Sequence, residues 1–335
     1  MKRIGIVGVG GMGMHHLQCW KQLPVEIMGV YDPLSERAAK AAQECGGQAC
    51  SGLAELVDQV DVVDVCTPTP FHKEAVLAAA AAGKHVVCEK PLARHLADAE
   101  QMVAACEAAG VRLFVAHVVR FFRQFSQAKA LLDAGTLGRP GVIRTVRGGS
   151  APSAPDRCWF LDFAHSGGVI MDLSIHDIDF ARWCCGDVER VFARGLTFAD
   201  TRPNDHALIV LRFKNGAIGH IEGSWAFPAG AFHTAFEIAT DQGMIEYDSL
   251  NPAPLTVTVK PTDAPQAAGH TQSLSPLAEW DDPYYQELAH FLDCLDSGEE
   301  FRVTAHDALE AVRVSLAAIE SMRTGQPVEL DTFTA

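Results

Sequence analysis

Residues 3–13 read RIGIVGVGGMG, an apolar run that leads directly into the pattern G-x-G-x-x-G at positions 8–13. In this pattern the first glycine permits a tight turn, the second lets the backbone approach a pyrophosphate, and the third allows close packing of helix against strand. A helix that begins here also offers free amide donors and a positive dipole end. The stretch predicts the start of a dinucleotide-binding unit, and the alternative is a tight strand-to-helix turn without a ligand. The expected cofactor contacts in this turn are Gly8, Gly10, Gly11, Met12 and Gly13.

The chain up to residue 116 alternates apolar runs with helical stretches. Such alternation is typical of a doubly wound parallel sheet, the Rossmann type of α/β fold. The helical stretches include 74–83 and 97–110, each of which ends on a glycine that fits a C-cap. The predicted strands are 3–9, 25–31, a short one at 48–50, 60–66, 85–89 and 111–116.

The pattern changes near residue 140, where strand-like runs become longer and alternate between polar and apolar residues. Lys214-Asn215-Gly216 is a hairpin signal between two of these runs. The second part therefore predicts an α/β domain with an open, mostly antiparallel sheet, and we divide the chain into domains 1–120 and 121–335. An alternative for the terminal helices of the second range is that they pack back on the first domain. The expected strands are 188–198, 206–213, 217–227, 233–240 and 255–260, followed by a loop at 261–280 and helices at 283–297 and 305–323.

Composition narrows the class of partner and the compartment. The 335 residues carry a formal charge of −15, which argues against nucleic acid and anionic membranes, because both need clustered cations. The lysine and arginine before the first apolar run raise the question of a signal peptide, but the run is short and glycine-rich and reads better as a buried strand. The ten cysteines lack a Cys-x-x-Cys spacing. We expect a cytoplasmic protein with a small-molecule partner, no membrane span and no metal site.

Asp32 follows the second predicted strand, nineteen residues after Gly13. A carboxylate there accepts hydrogen bonds from a ribose 2′-hydroxyl and repels a 2′-phosphate, which favours NAD and makes NADP the less favoured cofactor. Arg37, five residues on, either softens this preference or lies along the adenine. The alternative for Asp32 is a helix cap or turn residue before Pro33.

Two further strand ends border the same cleft, because ligands bind outside the carboxyl ends of parallel strands. One reads Cys66-Thr67-Pro68-Thr69-Pro70-Phe71-His72 and the other Glu89-Lys90-Pro91. Thr67 either contacts the cofactor or caps a helix. Lys90 either stabilises alkoxide character on an alcohol oxygen or is an ordinary loop lysine. The cofactor-binding candidates of these ends are Thr67, Pro68, His72, Glu89 and Lys90.

Residues 167–179, GGVIMDLSIHDID, predict a helix on which Asp172, His176 and Asp179 share one sector. Ser174 and Asp177 form a second polar sector, so the alternative is that one of the two sectors is simply solvated. A histidine that titrates near neutral pH suits removal of a hydroxyl proton, and a neighbouring carboxylate can orient it or hold a substrate.

Taken together, GVGGMG, CTPTPFH, Glu89-Lys90-Pro91 and GGVIMDLSIHDID resemble the glucose–fructose oxidoreductase / inositol dehydrogenase / MocA (Gfo/Idh/MocA) family. The likeness extends over essentially the whole chain, through Arg120-Phe121 and LLDAGTLG (131–138) to DALEAVRVSLAAIESMRTGQPVEL (307–330). Two positions depart from the family pattern: Arg123 stands where a proline is frequent, and Val118 where an asparagine is frequent. These departures concern pocket shape and substrate identity rather than reaction type.

The resemblance implies an NAD(P)-dependent oxidoreductase acting on sugars, inositols or related polyols, with a homodimer or homotetramer formed through the second-domain sheet. It implies a catalytic group of Lys90, Asp172 and His176, with His176 as the proton acceptor, Lys90 at the reacting hydroxyl and the nicotinamide, and Asp172 at substrate hydroxyls or the other catalytic groups. Arg120 and Trp159 join these three as substrate-binding candidates. Arg120 is the best of a wider set of pocket candidates, each of which has a purely structural alternative: His117, Arg120, Trp159, His165 and His233.

Two other functions remain open on the sequence alone. One is an NAD-using glycosidase of the same fold, which would cleave a sugar without accumulating NADH. The other is a sensor that binds NAD or a sugar without turnover, which has no need of a base such as His176.

Overall fold

A computed structural model describes residues 1–152, 159–198, 205–251, 255–259, 270–274 and 282–334. The chain divides into two compact units, each with contributions from two parts of the sequence. The first unit comprises Met1–Phe121 and Trp280–Val312, and the second comprises Phe122–Glu279 and Arg313–Ala335.

Regular structure accounts for most of the described residues. The helices are α1 (Gly11–Trp20), α2 (Ser35–Cys45), α3 (Leu53–Gln59), α4 (His72–Ala81), α5 (Leu96–Ala108), α6 (Arg123–Asp133), α7 (Phe163–Ser166), α8 (Ile175–Cys185), α9 (Pro283–Ser297) and α10 (Ala305–Thr324). The strands are β1 (Lys2–Val7), β2 (Val25–Tyr31), β3 (Gln48–Ala49), β4 (Val62–Val65), β5 (His85–Glu89), β6 (Leu113–Ala116), β7 (Pro140–Gly149), β8 (Val188–Leu196), β9 (His206–Phe213), β10 (Ile218–Ser224), β11 (Phe232–Thr240), β12 (Gly243–Asp248), β13 (Leu255–Val259), β14 (His270–Leu274) and β15 (Val328–Glu329).

The first unit is built on a six-stranded sheet in the order β3-β2-β1-β4-β5-β6. All five neighbouring pairs are parallel. This confirms the predicted doubly wound sheet. The order changes direction between β1 and β4, and that switch point is where open parallel sheets bind their ligands. The glycine-rich turn after β1 lies there.

Helix α9 belongs to the first unit although it lies near the end of the chain. Its Phe291 is fully buried and its ring lies 5.9 Å from that of Phe114 on β6. On α1, Trp20 packs edge-on against the same Phe291 ring. Burying three such rings removes a large apolar area from water and fixes α9 to the parallel sheet.

The second unit contains a nine-stranded sheet in the order β14-β13-β12-β11-β7-β10-β9-β8-β15. Its pairs are antiparallel except for β7 with β10. The predicted hairpin at 214–216 is confirmed, because Gly216 adopts a positive φ of 93° between antiparallel β9 and β10.

Four strands of this sheet, β7, β12, β14 and β15, were not among the predicted strands. The predicted loop at 261–280 lies mostly outside the described residues, but its part at 270–274 is strand β14 and not loop. In the described part of the chain, no helix combines the length and the apolar character that crossing a membrane requires.

Candidate functional site

The glycine-rich turn is sterically closed at its first and third glycines. Gly8 has a φ of 85°, and a β-carbon there would lie 2.8 Å from the backbone nitrogen of Thr67. A β-carbon on Gly13 would lie 1.9 Å from the carbonyl oxygen of Gly8. Both distances are shorter than a van der Waals contact of a carbon atom allows, so the turn between β1 and α1 requires glycine at both positions.

Gly10 is different, because a β-carbon there would meet nothing within 4 Å. Gly10 is also the N-cap of α1, and no side chain caps this helix end. The first amide groups of α1 therefore face an open cradle with the positive end of the helix dipole behind it. This arrangement fits a pyrophosphate, and a bulkier residue than Gly10 would fill the space.

Asp32 holds the end of β2 against the glycine-rich turn. One carboxylate oxygen accepts a hydrogen bond from the backbone nitrogen of Val9 at 3.0 Å, and the other accepts one from Leu34 at 2.9 Å. The turn role that the sequence offered as an alternative is thus present. Because an ionised carboxylate has about four acceptor positions, this role leaves capacity for a ribose hydroxyl. Arg37 lies on α2, partly buried.

The ends of β4 and β5 are tied together by a buried histidine. The Nε2 atom of His72 lies 2.9 Å from the carbonyl oxygen of Thr67, and its Nδ1 atom lies 3.0 Å from that of Pro91. Burial lowers the pKa of His72. The hydroxyl of Thr67 is buried and has no hydrogen-bond partner among the described residues, and Pro68 then precedes a single 3₁₀ turn at Thr69–Phe71.

Lys90 follows β5 directly and is partly buried. Its backbone nitrogen donates to the Oε2 atom of Glu89 at 3.0 Å, and its peptide bond to Pro91 is cis. Glu89, expected at the cofactor, also lies 3.2 Å through Oε1 from the Nε2 atom of His16 on α1. The structure therefore places Glu89 between Lys90 and the interior of the first unit.

That interior contains a polar cluster that the sequence analysis missed. The Nδ1 atom of His16 lies 3.0 Å from Asp64 Oδ2, and the indole nitrogen of Trp20 donates to the same oxygen at 2.7 Å. All three residues are completely buried. An aspartate inside the apolar run VVDV of β4 was the one signal that the sequence offered, since buried carboxylates need partners.

The second unit carries Asp172 and His176, and here the prediction of one regular helix needs correction. Residues Ile170–Ser174 form a wider π turn, and α8 begins only at Ile175. The wider turn changes the angular spacing between Asp172 and His176 from that of an α-helix. The Oδ2 atom of Asp172 accepts a hydrogen bond from the indole nitrogen of Trp225 at 3.3 Å.

Asp172 is partly exposed, but the other members of both polar sectors are buried, so neither sector is the solvated surface stripe of the alternative. Ser174, Asp177 and Asp179 are buried almost completely, and His176 is 8% exposed. Gly223 of β10 allows close contact with this segment, because a β-carbon there would lie 2.0 Å from the Ser174 hydroxyl. Burial raises the pKa of Asp177, although the Arg147 guanidinium 2.6 Å away opposes that shift.

The remaining pocket candidates lie in varied surroundings. Arg120 is 1% exposed, donates to the Arg302 carbonyl oxygen at 2.6 Å and pairs with Asp307 at 3.1 Å. His117 is buried in the first unit. The second-unit candidates each contact a neighbour: Trp159 stacks on Phe160, His165 pairs with Asp162 and His233 pairs with Asp248.

Two family models match the chain. Residues 2–117 match the model of the oxidoreductase family with an NAD-binding Rossmann fold, and residues 125–246 match the GFO/IDH/MocA C-terminal domain. These ranges correspond to the six-stranded sheet and to most of the nine-stranded sheet.

Individual relatives are similar over almost their whole length. Myo-inositol 2-dehydrogenase of Thermotoga maritima is 34% identical, with 98% of each chain covered. The scyllo-inositol 2-dehydrogenase (NAD(+)) of Bacillus subtilis is 31% identical over 99% of this chain and 97% of its own. Among solved structures, a probable dehydrogenase from Thermotoga maritima superposes with a TM-score of 0.83 at 32% identity, covering 99% of this chain and 100% of that one.

Proposed function

The chain belongs to the GFO/IDH/MocA family of NAD-binding Rossmann oxidoreductases, and from this premise we propose that it is an NAD-dependent dehydrogenase of an inositol or a related polyol. The observation that carries the proposal is the whole-length similarity to two inositol 2-dehydrogenases. The cradle at Gly10 supports it, because it supplies a pyrophosphate site in the first unit.

The proposed reaction removes a hydride and a proton from a secondary alcohol and leaves a ketone. A bound nicotinamide supplies the hydride acceptor. His176 takes the hydroxyl proton, since an imidazole titrates near neutral pH. Lys90 stabilises negative charge on the substrate oxygen as its proton leaves. Asp172, which Trp225 already fixes through one oxygen, holds substrate hydroxyls or orients the other catalytic groups.

NAD is the proposed cofactor in preference to NADP. The carboxylate of Asp32 stands at the end of β2, where the family fold places the adenosine ribose. Both of its oxygens bond backbone amides, so its position is fixed and a 2′-phosphate would meet a held negative charge. Arg37 on α2, five residues after Asp32, either moderates this preference or lies along the adenine.

A substrate panel with matched variants tests the proposed function. The purified protein is supplied with NAD and, in turn, with inositol isomers, polyols and aldoses, and absorbance of the reduced nicotinamide is followed. We expect turnover with at least one cyclitol or polyol. In Lys90→Ala and His176→Ala, kcat should fall by at least about a hundredfold, which is within the range for losing an acid–base group, while NAD still binds.

Control variants separate these losses from damage to the fold. Lys21→Ala and His306→Ala remove exposed side chains of the same two types, and both should keep wild-type turnover. Absence of reduced nicotinamide with every compound in the panel would contradict the proposal. So would full turnover in both catalytic variants, or sugar cleavage without net reduction of NAD.

We also propose that the protein is a homo-oligomer that pairs through the nine-stranded sheet. On β9 and β10, alternate residues are buried, while the opposite face exposes a mixture of apolar and polar side chains that includes Leu208, Ile218 and His220. Sedimentation velocity should give a dimer or tetramer, and Leu208→Asp should weaken it. A monomeric wild-type protein would contradict this assignment.

A further inference from the structure

Helix α1 contains a histidine that joins two carboxylates of different strands. His16 lies 3.0 Å from Asp64 of β4 through Nδ1 and 3.2 Å from Glu89 of β5 through Nε2, and the second contact is an ion-pair distance at which Nε2 makes no hydrogen bond to a described residue. The imidazole is completely buried. Its two nitrogens thus connect the helix that starts at the glycine-rich turn with the strand that ends at Lys90.

Glu89 connects His16 to the backbone of Lys90. One oxygen of Glu89 faces His16, and the other accepts the hydrogen bond from the Lys90 backbone nitrogen at 3.0 Å. Rotation of the Glu89 carboxylate would break both contacts at once. The orientation of the Lys90 peptide unit therefore depends on a contact that originates in α1.

The charges of the cluster favour this arrangement. Burial, the largest influence, lowers the pKa of His16, but the Asp64 carboxylate 3.0 Å away raises it, and the net shift of the pKa is upward. Burial and the nearby Glu89 raise the pKa of Glu287 well above its ordinary value, which favours its neutral form. A protonated His16 ring is therefore favoured where it lies, between the carboxylates of Asp64 and Glu89.

We propose that His16 is a positioning residue for Lys90, acting through the carboxylate of Glu89. This inference rests on the proposed function, in which Lys90 acts on the reacting hydroxyl. His16 touches neither substrate nor cofactor in this role. It holds Glu89 in the orientation that fixes the Lys90 peptide unit. It thereby determines the backbone position from which the Lys90 side chain extends.

A metal ion held by the same residues is the competing reading. His16, Glu89 and Glu287 offer ligand atoms within 4.8 Å of one another, as do His16, Asp64 and Cys66. However, Asp64 already accepts the indole N–H of Trp20, and Glu89 accepts that of the Lys90 backbone. Burial also raises the pKa of the Cys66 thiol, which opposes the thiolate form that metals bind. Because neither oxygen of Glu287 has a hydrogen-bond partner among the described residues, the metal content of the purified protein decides between the two, and the proposal expects none.

Two substitutions at His16 test its two contacts separately, because each preserves one contact and removes the other. The amide nitrogen of asparagine falls near the position of Nδ1, and that of glutamine near the position of Nε2. His16→Asn therefore keeps a donor to Asp64 and loses the nitrogen that faces Glu89, whereas His16→Gln keeps a nitrogen near Glu89. We expect kcat to fall at least about tenfold in His16→Asn and to stay within about threefold of wild type in His16→Gln.

The readout is the deuterium isotope effect on kcat, measured with a substrate of the panel labelled at the carbinol carbon. If Lys90 is misplaced, the hydride step becomes slower and more rate-limiting, so the isotope effect should rise in His16→Asn alone. NAD affinity, measured by calorimetry, should change less than about threefold in both variants. Trp20→Phe removes the other buried hydrogen bond of Asp64 and should lower stability while leaving kcat and the isotope effect unchanged.

Glu89→Gln keeps the test decisive if His16→Asn does not fold. It replaces the carboxylate with an amide, and it should lower kcat and raise the isotope effect as His16→Asn does, with no further loss in the double variant. Equal kcat losses in His16→Asn and His16→Gln, loss of NAD affinity alone, or stoichiometric bound metal would overturn the proposal. An inactive wild type would instead reject the proposed function, so the two failures are distinguishable.

Discussion

Arg147 on β7 and Asp177 on α8 form a buried ion pair, with the guanidinium Nε atom 2.6 Å from Asp177 Oδ2. The pair ties the helix that carries His176 to the middle of the nine-stranded sheet. Removing one partner leaves an uncompensated charge in a low-dielectric interior, which costs about 3–5 kcal/mol. The pair thus constrains where the helix can lie on its sheet.

Asp177→Ala should therefore lower the free energy of unfolding of the second unit by about 3–5 kcal/mol, as measured by urea denaturation. Arg190→Ala is the matched control, because it breaks an ion pair of the same unit, with Glu329, in which both side chains are about half exposed. That change should cost less than about 1 kcal/mol. Similar losses in the two variants would mean that the buried pair does not constrain α8.

The two ends of the glycine pattern should respond differently to alanine. Gly10→Ala meets no atom and should leave the melting temperature unchanged, yet raise the NAD dissociation constant at least about tenfold, because its methyl group enters the cradle. Gly13→Ala should instead destabilise the fold, because its methyl group would collide with the Gly8 carbonyl oxygen. Calorimetric titration and thermal unfolding separate the two effects. Unchanged NAD binding in Gly10→Ala would argue against a pyrophosphate at this turn.

Asp32 should control the choice between NAD and NADP. Replacing it with serine removes the negative charge at the ribose while keeping one hydroxyl oxygen for the amides of Val9 and Leu34. We expect the ratio of kcat/KM for NADP to that for NAD to rise at least about tenfold, which corresponds to about 1.4 kcal/mol. Glu36→Gln, an exposed neighbour on α2, is the control for net charge. A preference that follows total charge, with equal changes in both variants, would reject the role of Asp32.

Glu287 on α9 should make stability depend on pH. Its pKa is raised well above the ordinary value by burial and by Glu89, so the folded state keeps a proton that the unfolded chain releases above about pH 4.3. The unfolded state then binds fewer protons, and stability falls as pH rises until the folded pKa is reached, at a limiting rate of about 1.4 kcal/mol per pH unit.

Glu287→Gln carries no titrating group at this site. Its free energy of unfolding should therefore exceed that of the wild type by an amount that grows from pH 5 to pH 8, whereas the exposed Glu300→Gln should show no such trend. Urea denaturation across this pH range measures the difference. A constant difference between Glu287→Gln and wild type at all pH values would contradict a protonated Glu287.

Much of the first unit follows from local sequence signals. The glycines at positions 8, 10 and 13, the apolar strands and the glycine C-caps each act within a few residues, so the parallel sheet was predictable with shifts of about two residues at β4 and β6. The hairpin at 214–216 was predictable for the same reason, since it depends on one dipeptide.

The features that sequence reasoning missed depend on distant segments. Strand β7 pairs with β10 and β11, which are distant in the sequence. No local sequence pattern near Pro140–Gly149 indicates that these strands are its partners. The buried cluster likewise needs α1, β4, β5 and α9 together, so Asp64 could be noticed but its partners could not be named. The π turn at Ile170–Ser174 lies where Ser174 packs against Gly223 of a distant strand, a contact that local sequence does not reveal.

The most direct test of the proposed dehydrogenase activity is transfer of deuterium from a cyclitol labelled at its carbinol carbon. The protein is incubated with NAD and the labelled substrate, and the reduced cofactor is analysed by mass spectrometry. We expect one deuterium in each reduced nicotinamide formed, at a rate that His176→Ala lowers at least about a hundredfold. Reduced cofactor that carries no deuterium, or none formed from any cyclitol or polyol, would contradict it.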